Sequence, residues 1–244
     1  MANIIEKENG SGTMQRYIAK ELTHFTKQFK TLCDILTEQV LLGGPDIEIS
    51  RKHSIEFISN YREDISNNSM IEVNKVCFSD IPEGEMGIHK TKFGQFGIAF
   101  DKDFIVKKGG VPVHYIPCKA IVNPLLTNKN ETIDSLFNKM TKELYGYFDR
   151  LICEHFHDDE KKEKYSSFQN FIEWHIKPYF KFFDHLLPDE HLSNYYFERE
   201  WRVVGNVKFI MSDIRNILLP QEYESEFREK FPGYNGQINS KIVT

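Results

Sequence analysis

The sequence has little that would staple, anchor or address it. Its four cysteines, Cys33, Cys77, Cys118 and Cys153, are spread along 244 residues with no CxxC pair. That spacing speaks against a disulfide or zinc framework and fits reduced thiols in the cytoplasm. No apolar run approaches the roughly 20 residues of a membrane span. The N-terminus, with Glu6, Lys7 and Glu8, lacks the apolar stretch of a secretory signal. Basic charge is not in excess: 31 Lys and Arg face 36 Asp and Glu, a net charge of −5. General attraction to nucleic acid or to an anionic membrane is therefore not expected. Neither a P-loop nor a GxGxxG fingerprint is present, so kinase, GTPase and Rossmann readings lack support.

What the sequence does have is aromatic bulk, 20 Phe and 11 Tyr. A chain of this length buries roughly 70% of its unfolded surface without staples. The expected organisation is a flexible leader over 1–13 and a single domain over 14–244, with a helical insert at about 130–190. Thr23-His24-Phe25-Thr26 reads as the entrance to a first helix, with Thr26 as its N-cap and Phe29, Leu32, Cys33 and Leu36 at helical spacing. A short helix is expected around 54–61. Strands follow at 73–78, 93–100 and 111–116, with a helix between the last two that Asp101 opens and Gly109-Gly110 closes. From Thr132, Ile133, Leu136, Phe137, Met140, Leu144, Tyr147, Phe148 and Leu151 share one helical face. After a charged loop over 155–164, a second helix is expected over 165–187, kinked or divided at Pro178. Strands return at Trp201, Val207 and Ile217, and a helix over 221–231 ends the pattern. The fold class is α+β.

Three separated segments carry polar groups that could converge on one ligand. His24 and Thr26 at a helix entrance would sit beside free N–H groups suited to ribose or phosphate oxygens; the plainer alternative is a cap and a packing histidine. Glu198 and Glu200, two apart, would share one face of a strand. One of them could stabilise a developing positive charge, or both could pair with basic residues across a sheet. His89 follows the Pro82 turn, as a site residue or as a loop histidine bonded to backbone. His155 and His157, also two apart, do not share a helix face, so the Glu154–Asp159 cluster reads as a solvated helix end and no metal site is expected. No cysteine has a base beside it in sequence, and no thiol nucleophile is expected.

Several of these segments carry a family likeness. Cys77-Phe78-Ser79-Asp80-Ile81-Pro82, His89 four residues before Phe93-Gly94-Gln95-Phe96-Gly97-Ile98, Lys102, Gly110 to Ile116 and Glu200-Trp201-Arg202 resemble the AbiGi family of abortive phage-resistance proteins. More distantly, the order of elements is similar to that of DarT-like ADP-ribosyltransferases. That resemblance implies an ADP-ribosyltransferase-like mixed β core with an N-terminal helix and an inserted helical hairpin. It implies NAD as substrate, bound through His24, Phe25 and Thr26, with Phe78, Ser79, His89 and Phe93 lining the site and an aromatic ring stacked on nicotinamide. Glu200 would be the catalytic glutamate, with Glu198 as runner-up. An arginine between the first helix and the middle strand would be Arg62 or Arg51. The implied function is a cytoplasmic phage-defence toxin that modifies DNA or RNA bases and is held by a cognate antitoxin. AbiGi proteins are also labelled antitoxins, so the alternative is a non-catalytic antitoxin or partner subunit.

Overall fold

The computed structural model describes residues 19–44, 57–60, 62–123, 131–155, 157–188, 191 and 194–240. The leader over 1–13 and Arg51 lie outside them. In chain order the strands are β1 (Glu21–Thr26), β2 (Val40–Leu41), β3 (Phe57–Ser59), β4 (Ile71–Val73), β5 (Lys75–Ser79), β6 (Phe96–Asp101) and β7 (Val111–Pro112). They continue as β8 (His114–Cys118), β9 (Phe180–Asp184), β10 (Glu200–Val204), β11 (Val207–Lys208), β12 (Ile214–Leu218) and β13 (Gln237–Asn239). The α-helices are α1 (Phe29–Glu38), α2 (Gly87–Phe93), α3 (Lys102–Lys107), α4 (Ile133–Glu154), α5 (Asp159–His175) and α6 (Glu224–Lys230). The class is α+β, as expected.

A seven-stranded sheet in the order β13-β12-β6-β1-β5-β10-β7 organises the domain. It is antiparallel except for the β12/β13 pair. β1 is a central strand of this sheet, which corrects the expectation that His24 and Thr26 open a helix. Glu-Leu-Thr-His-Phe-Thr alternates along a pleat, and it pairs with β6 from Glu21↔Asp101 to Thr26↔Phe96. The helix starts three residues later, after Gln28, and keeps the expected inward face of Phe29, Leu32, Cys33 and Leu36.

Alternation gives the sheet two different faces. On one, Leu22, Val76, Phe78, Ile98, Phe100 and Val203 form the main core under Leu32 and Leu36 of α1, Ile105 of α3 and Phe227 of α6. On the other, the register Glu200↔Ser79 and Arg202↔Cys77 sets two charged side chains beside two small ones. The polar face of the middle strands is the floor of the site.

The helical insert is the crossover between two parallel strands. β8 and β9 pair from His114↔Phe180 to Cys118↔Asp184, and parallel neighbours need a long connection. α4 begins after Thr132, as the periodicity predicts. α5 begins earlier than expected, because the Asp158 side chain accepts from the Lys161 N–H and caps it. The stretch 159–164 is therefore helix, not loop. α5 also ends earlier, at His175. Pro178 removes a backbone donor and disfavours helix at the residue before it, and Phe-Lys-Phe-Phe beyond it alternates as β9. A smaller core of Ile65, Met70, Ile116, Tyr145 and Phe182 joins α4 to this strand pair. Two further corrections are local. Phe57–Ser59 is a strand paired with β4 where a helix was expected, and the rest of 51–56 lies outside the described residues. Phe93 ends α2 and is not part of β6.

The turn from α2 into β6 depends on Gly94. Its φ is +117°, and a Cβ there would lie 2.3 Å from the Thr26 carbonyl oxygen. Gly94→Ala is expected to destabilise the protein by about 1–3 kcal/mol through backbone strain at this crossing. Denaturant unfolding of the two proteins checks this; an unchanged midpoint would contradict it.

Candidate functional site

Above the polar face lies a cleft of about 420 Å³. β1 contributes Thr23, His24 and Phe25, β5 contributes Lys75, Cys77, Phe78 and Ser79, and β10 contributes Glu200 and Arg202. β9 adds Lys181, α2 adds Phe93, and the 3₁₀ turn Tyr195–Glu198 adds Tyr195 and Glu198. Asn68 completes the rim. Its side-chain amide pairs both ways with the Phe182 backbone, at 2.9 and 2.8 Å, and so holds β9 in place.

The chemistry of the cleft is dominated by buried ion pairs. Glu200 accepts from Arg202 Nε at 2.8 Å and Arg202 Nη2 at 3.0 Å, a bidentate pair. Lys181 Nζ donates to the same carboxylate at 2.9 Å and also to Glu198. Lys92 reaches the other oxygen of Glu198 at 2.7 Å. Arg202 Nη1 donates further, to the carbonyls of Pro178 and Phe180. Glu198, Glu200 and Arg202 are all buried. Burial alone would push the Glu200 carboxyl up, but the Arg202 guanidinium and the Lys181 ammonium outweigh it and hold it well below the usual carboxylate range. Burial would pull Lys181 down, and the two glutamates hold it above its ordinary value instead.

The remaining polar groups are not activated. Burial, with Glu200 nearby, pushes the Cys77 thiol up to about 12, so it is a neutral thiol rather than a nucleophile. Burial lowers His24 more than its bond to the Cys77 carbonyl raises it, which keeps the imidazole neutral. That bond, from Nδ1, is 2.9 Å long, and the ring stands edge-on to Phe78. Lys75 is pulled down by burial and by Arg202.

The structure brings together most of the residues singled out from sequence. His24, Phe25, Phe78, Ser79, Phe93, Glu198 and Glu200 line one cleft. Glu198 and Glu200 do so for a different reason than expected. Glu198 closes the 3₁₀ turn, Arg199 reverses the chain at φ 43°, and only Glu200 is on β10. Thr26, His89 and Arg62 are not among the lining residues. Thr26 ends β1. His89 is buried on α2, bonded through Nε2 to the Glu198 carbonyl at 3.2 Å and packed on Phe197, so it braces the turn that carries Glu198. Arg62 is exposed in a turn and is not the arginine of the cleft. That arginine is Arg202, two residues from Glu200. Sequence reasoning passed over Arg202, Lys181 and Lys75. The i, i+2 spacing of Glu200 and Arg202 on a strand was a usable signal; nothing in the sequence announces Lys181. His155 caps α4 and stacks on Tyr165. Among the described residues no helix is long and apolar enough to cross a membrane.

The quoted motif residues build a second node behind the cleft. Asp80 accepts from Lys102 Nζ at 2.8 Å and from Trp201 Nε1 at 3.3 Å, and its N–H donates to the Arg199 carbonyl. One motif thus ties β5, α3 and β10 together.

A family model described as "Putative abortive phage resistance protein AbiGi, antitoxin" matches residues 49–235, more than three quarters of the chain. The chain belongs to this family. No curated protein and no solved structure matches it. The family description overturns the expected ADP-ribosyltransferase toxin and points to the antitoxin alternative. The glutamate that the resemblance casts as catalytic is ion-paired with a guanidinium and an ammonium.

Glu200→Gln leaves Arg202 buried without its counter-charge and is expected to cost about 3–5 kcal/mol. The Glu200→Met/Arg202→Met pair, which removes both charges, is expected to recover most of it. Because the folded-state pKa of Glu200 is depressed, its contribution is complete above the unfolded value of about 4.3, shrinks progressively below it, and is gone only once pH has fallen through the much lower folded value. Urea unfolding at pH 7 and pH 3 checks both points. Equal stability of wild type and Glu200→Gln at pH 7 would contradict them.

Proposed function

We propose that this AbiGi-family chain is the antitoxin of an abortive phage-resistance pair, which acts by binding a cognate toxin and not by turning over a substrate. The observation that carries this reading is the family match over most of the chain. The closed Glu200–Arg202–Lys181 cluster supports it, because a carboxylate with both oxygens engaged is a structural tie rather than a free acid or base. The nucleic-acid acceptor, implied only by the transferase resemblance, leaves with that resemblance.

NAD is retained as a second, separate proposal for the cleft's occupant, as a bound ligand without turnover. It is supported by the convergence of His24, Phe25, Phe78, Ser79 and Phe93 on one cavity large enough for a nucleotide-sized group. Calorimetric titration of the full chain with NAD tests it, and absence of heat at millimolar NAD would end it.

The antitoxin reading is tested in cells. Expression of the chain alone is expected to leave growth unchanged. Co-expression with the toxin encoded beside it is expected to restore growth that the toxin alone arrests. Arrest by the chain alone, or no rescue, would overturn the reading.

A further inference from the structure

The inserted hairpin carries an apolar groove separate from the cleft. Phe137, Met140 and Leu144 of α4 face Ile172 of α5 and Ile176 just beyond it, around a space of about 350 Å³. Almost no polar atom reaches it. Met140 is 43% exposed and Ile176 37%. The stripe continues along α5, where Phe168 is 54% exposed and Phe171 50%. Residues 136, 140 and 144 on one wall, and 168, 172 and 176 on the other, recur every fourth position. Eight helical residues rise about 12 Å, which is two turns of a partner helix.

One group in this groove needs an acceptor. Lys177 lines it and is 5% exposed. Its Nζ lies over the Tyr145 ring at 3.4 Å, closed off from solvent and with no hydrogen-bond partner among the described residues, so an incoming acceptor meets it only when the side chain swings off the ring. Burial pulls its pKa down to about 7. An ammonium held in apolar surroundings with no acceptor is unfavourable in the free protein. A carboxylate arriving with a partner removes that penalty. Groove-to-groove packing of two copies supplies no carboxylate, since no acidic residue lines the groove.

We propose that this groove is where the antitoxin holds its toxin, receiving an apolar helical face that carries one carboxylate to Lys177. The proposal rests on the antitoxin reading and adds the surface and the chemistry of the partner to it. Helix-in-groove recognition uses anchors at this spacing.

The test is the affinity of the full chain for the purified neighbouring toxin, by calorimetry. The Met140→Asp/Ile176→Asp variant changes only part-exposed side chains, and its melting curve checks that it folds. It is expected to bind about 100-fold more weakly. Lys177→Met is expected to bind about tenfold more weakly while raising the thermal midpoint, a pairing that loss of structure cannot produce. Undiminished binding by the double aspartate variant overturns the groove but leaves the antitoxin reading standing. Undiminished binding by Lys177→Met overturns the carboxylate contact. No complex with wild type overturns the antitoxin reading and the groove together. A wild-type dimer that Ile176→Asp makes monomeric assigns the face to a second copy and also overturns the proposal.

Discussion

The fold around the cleft depends on one constraint, the need to neutralise Glu200 away from water. Its carboxylate is held by Arg202 from its own strand and by Lys181 from β9. Lys181 reaches it only because β9 is parallel to β8 and returns after the helical hairpin. The same amine engages Glu198, and Lys92 of α2 engages Glu198 from the other side. Four elements thus meet through five side chains, with α2 reaching in from 106 residues away in sequence. A buried charge set of this kind contributes little net stability compared with apolar packing, yet removing one member is costly. It fixes how the elements meet rather than how firmly they hold.

That arrangement separates two surfaces with different chemistry. The cleft is polar at its floor and aromatic at its walls, and its charged groups are largely engaged with one another. The hairpin groove is apolar and open, and its one amine is unsatisfied. In the proposed complex the partner supplies the acceptor that this amine lacks in the free chain. That lack costs stability in the free chain, a common trade at functional surfaces.

How much of this could be read from sequence differs by element. The α4 face is plain because eight apolar residues fall on one side of a long helix. α1 was found, but its start was misplaced, since Thr26 is as good an N-cap as any residue and the strand alternation of 21–26 is only six residues long. The hairpin is legible, but the Asp158 cap of α5 is hidden in a charged run, and the helical pattern carries across the aromatic run 180–184 although Pro178 ends the helix. The convergence of His24, Phe78, Phe93 and Glu200 was legible through motif order, not through local pattern. The resemblance directs attention upstream, to 51 or 62; Arg51 lies outside the described residues and Arg62 is exposed away from the cleft, whereas alternation on β10 pairs Glu200 with Arg202. Lys181 was not legible: its role depends on the parallel pairing of β8 and β9, which no local pattern encodes. The same resemblance suggests a catalytic glutamate, and only the fold reveals the guanidinium and ammonium that pair with it.

On the proposed reading the chain neutralises a toxin by binding, with Glu200 as a structural tie. The most direct measurement titrates the purified toxin's activity with wild type and with the folded Glu200→Met/Arg202→Met variant, which lacks the Glu200 carboxylate. Stoichiometric inhibition by both proteins is the predicted result. Inhibition by wild type alone, with the variant folded and bound to the toxin but inactive, would show that the carboxylate does chemistry and would contradict the account.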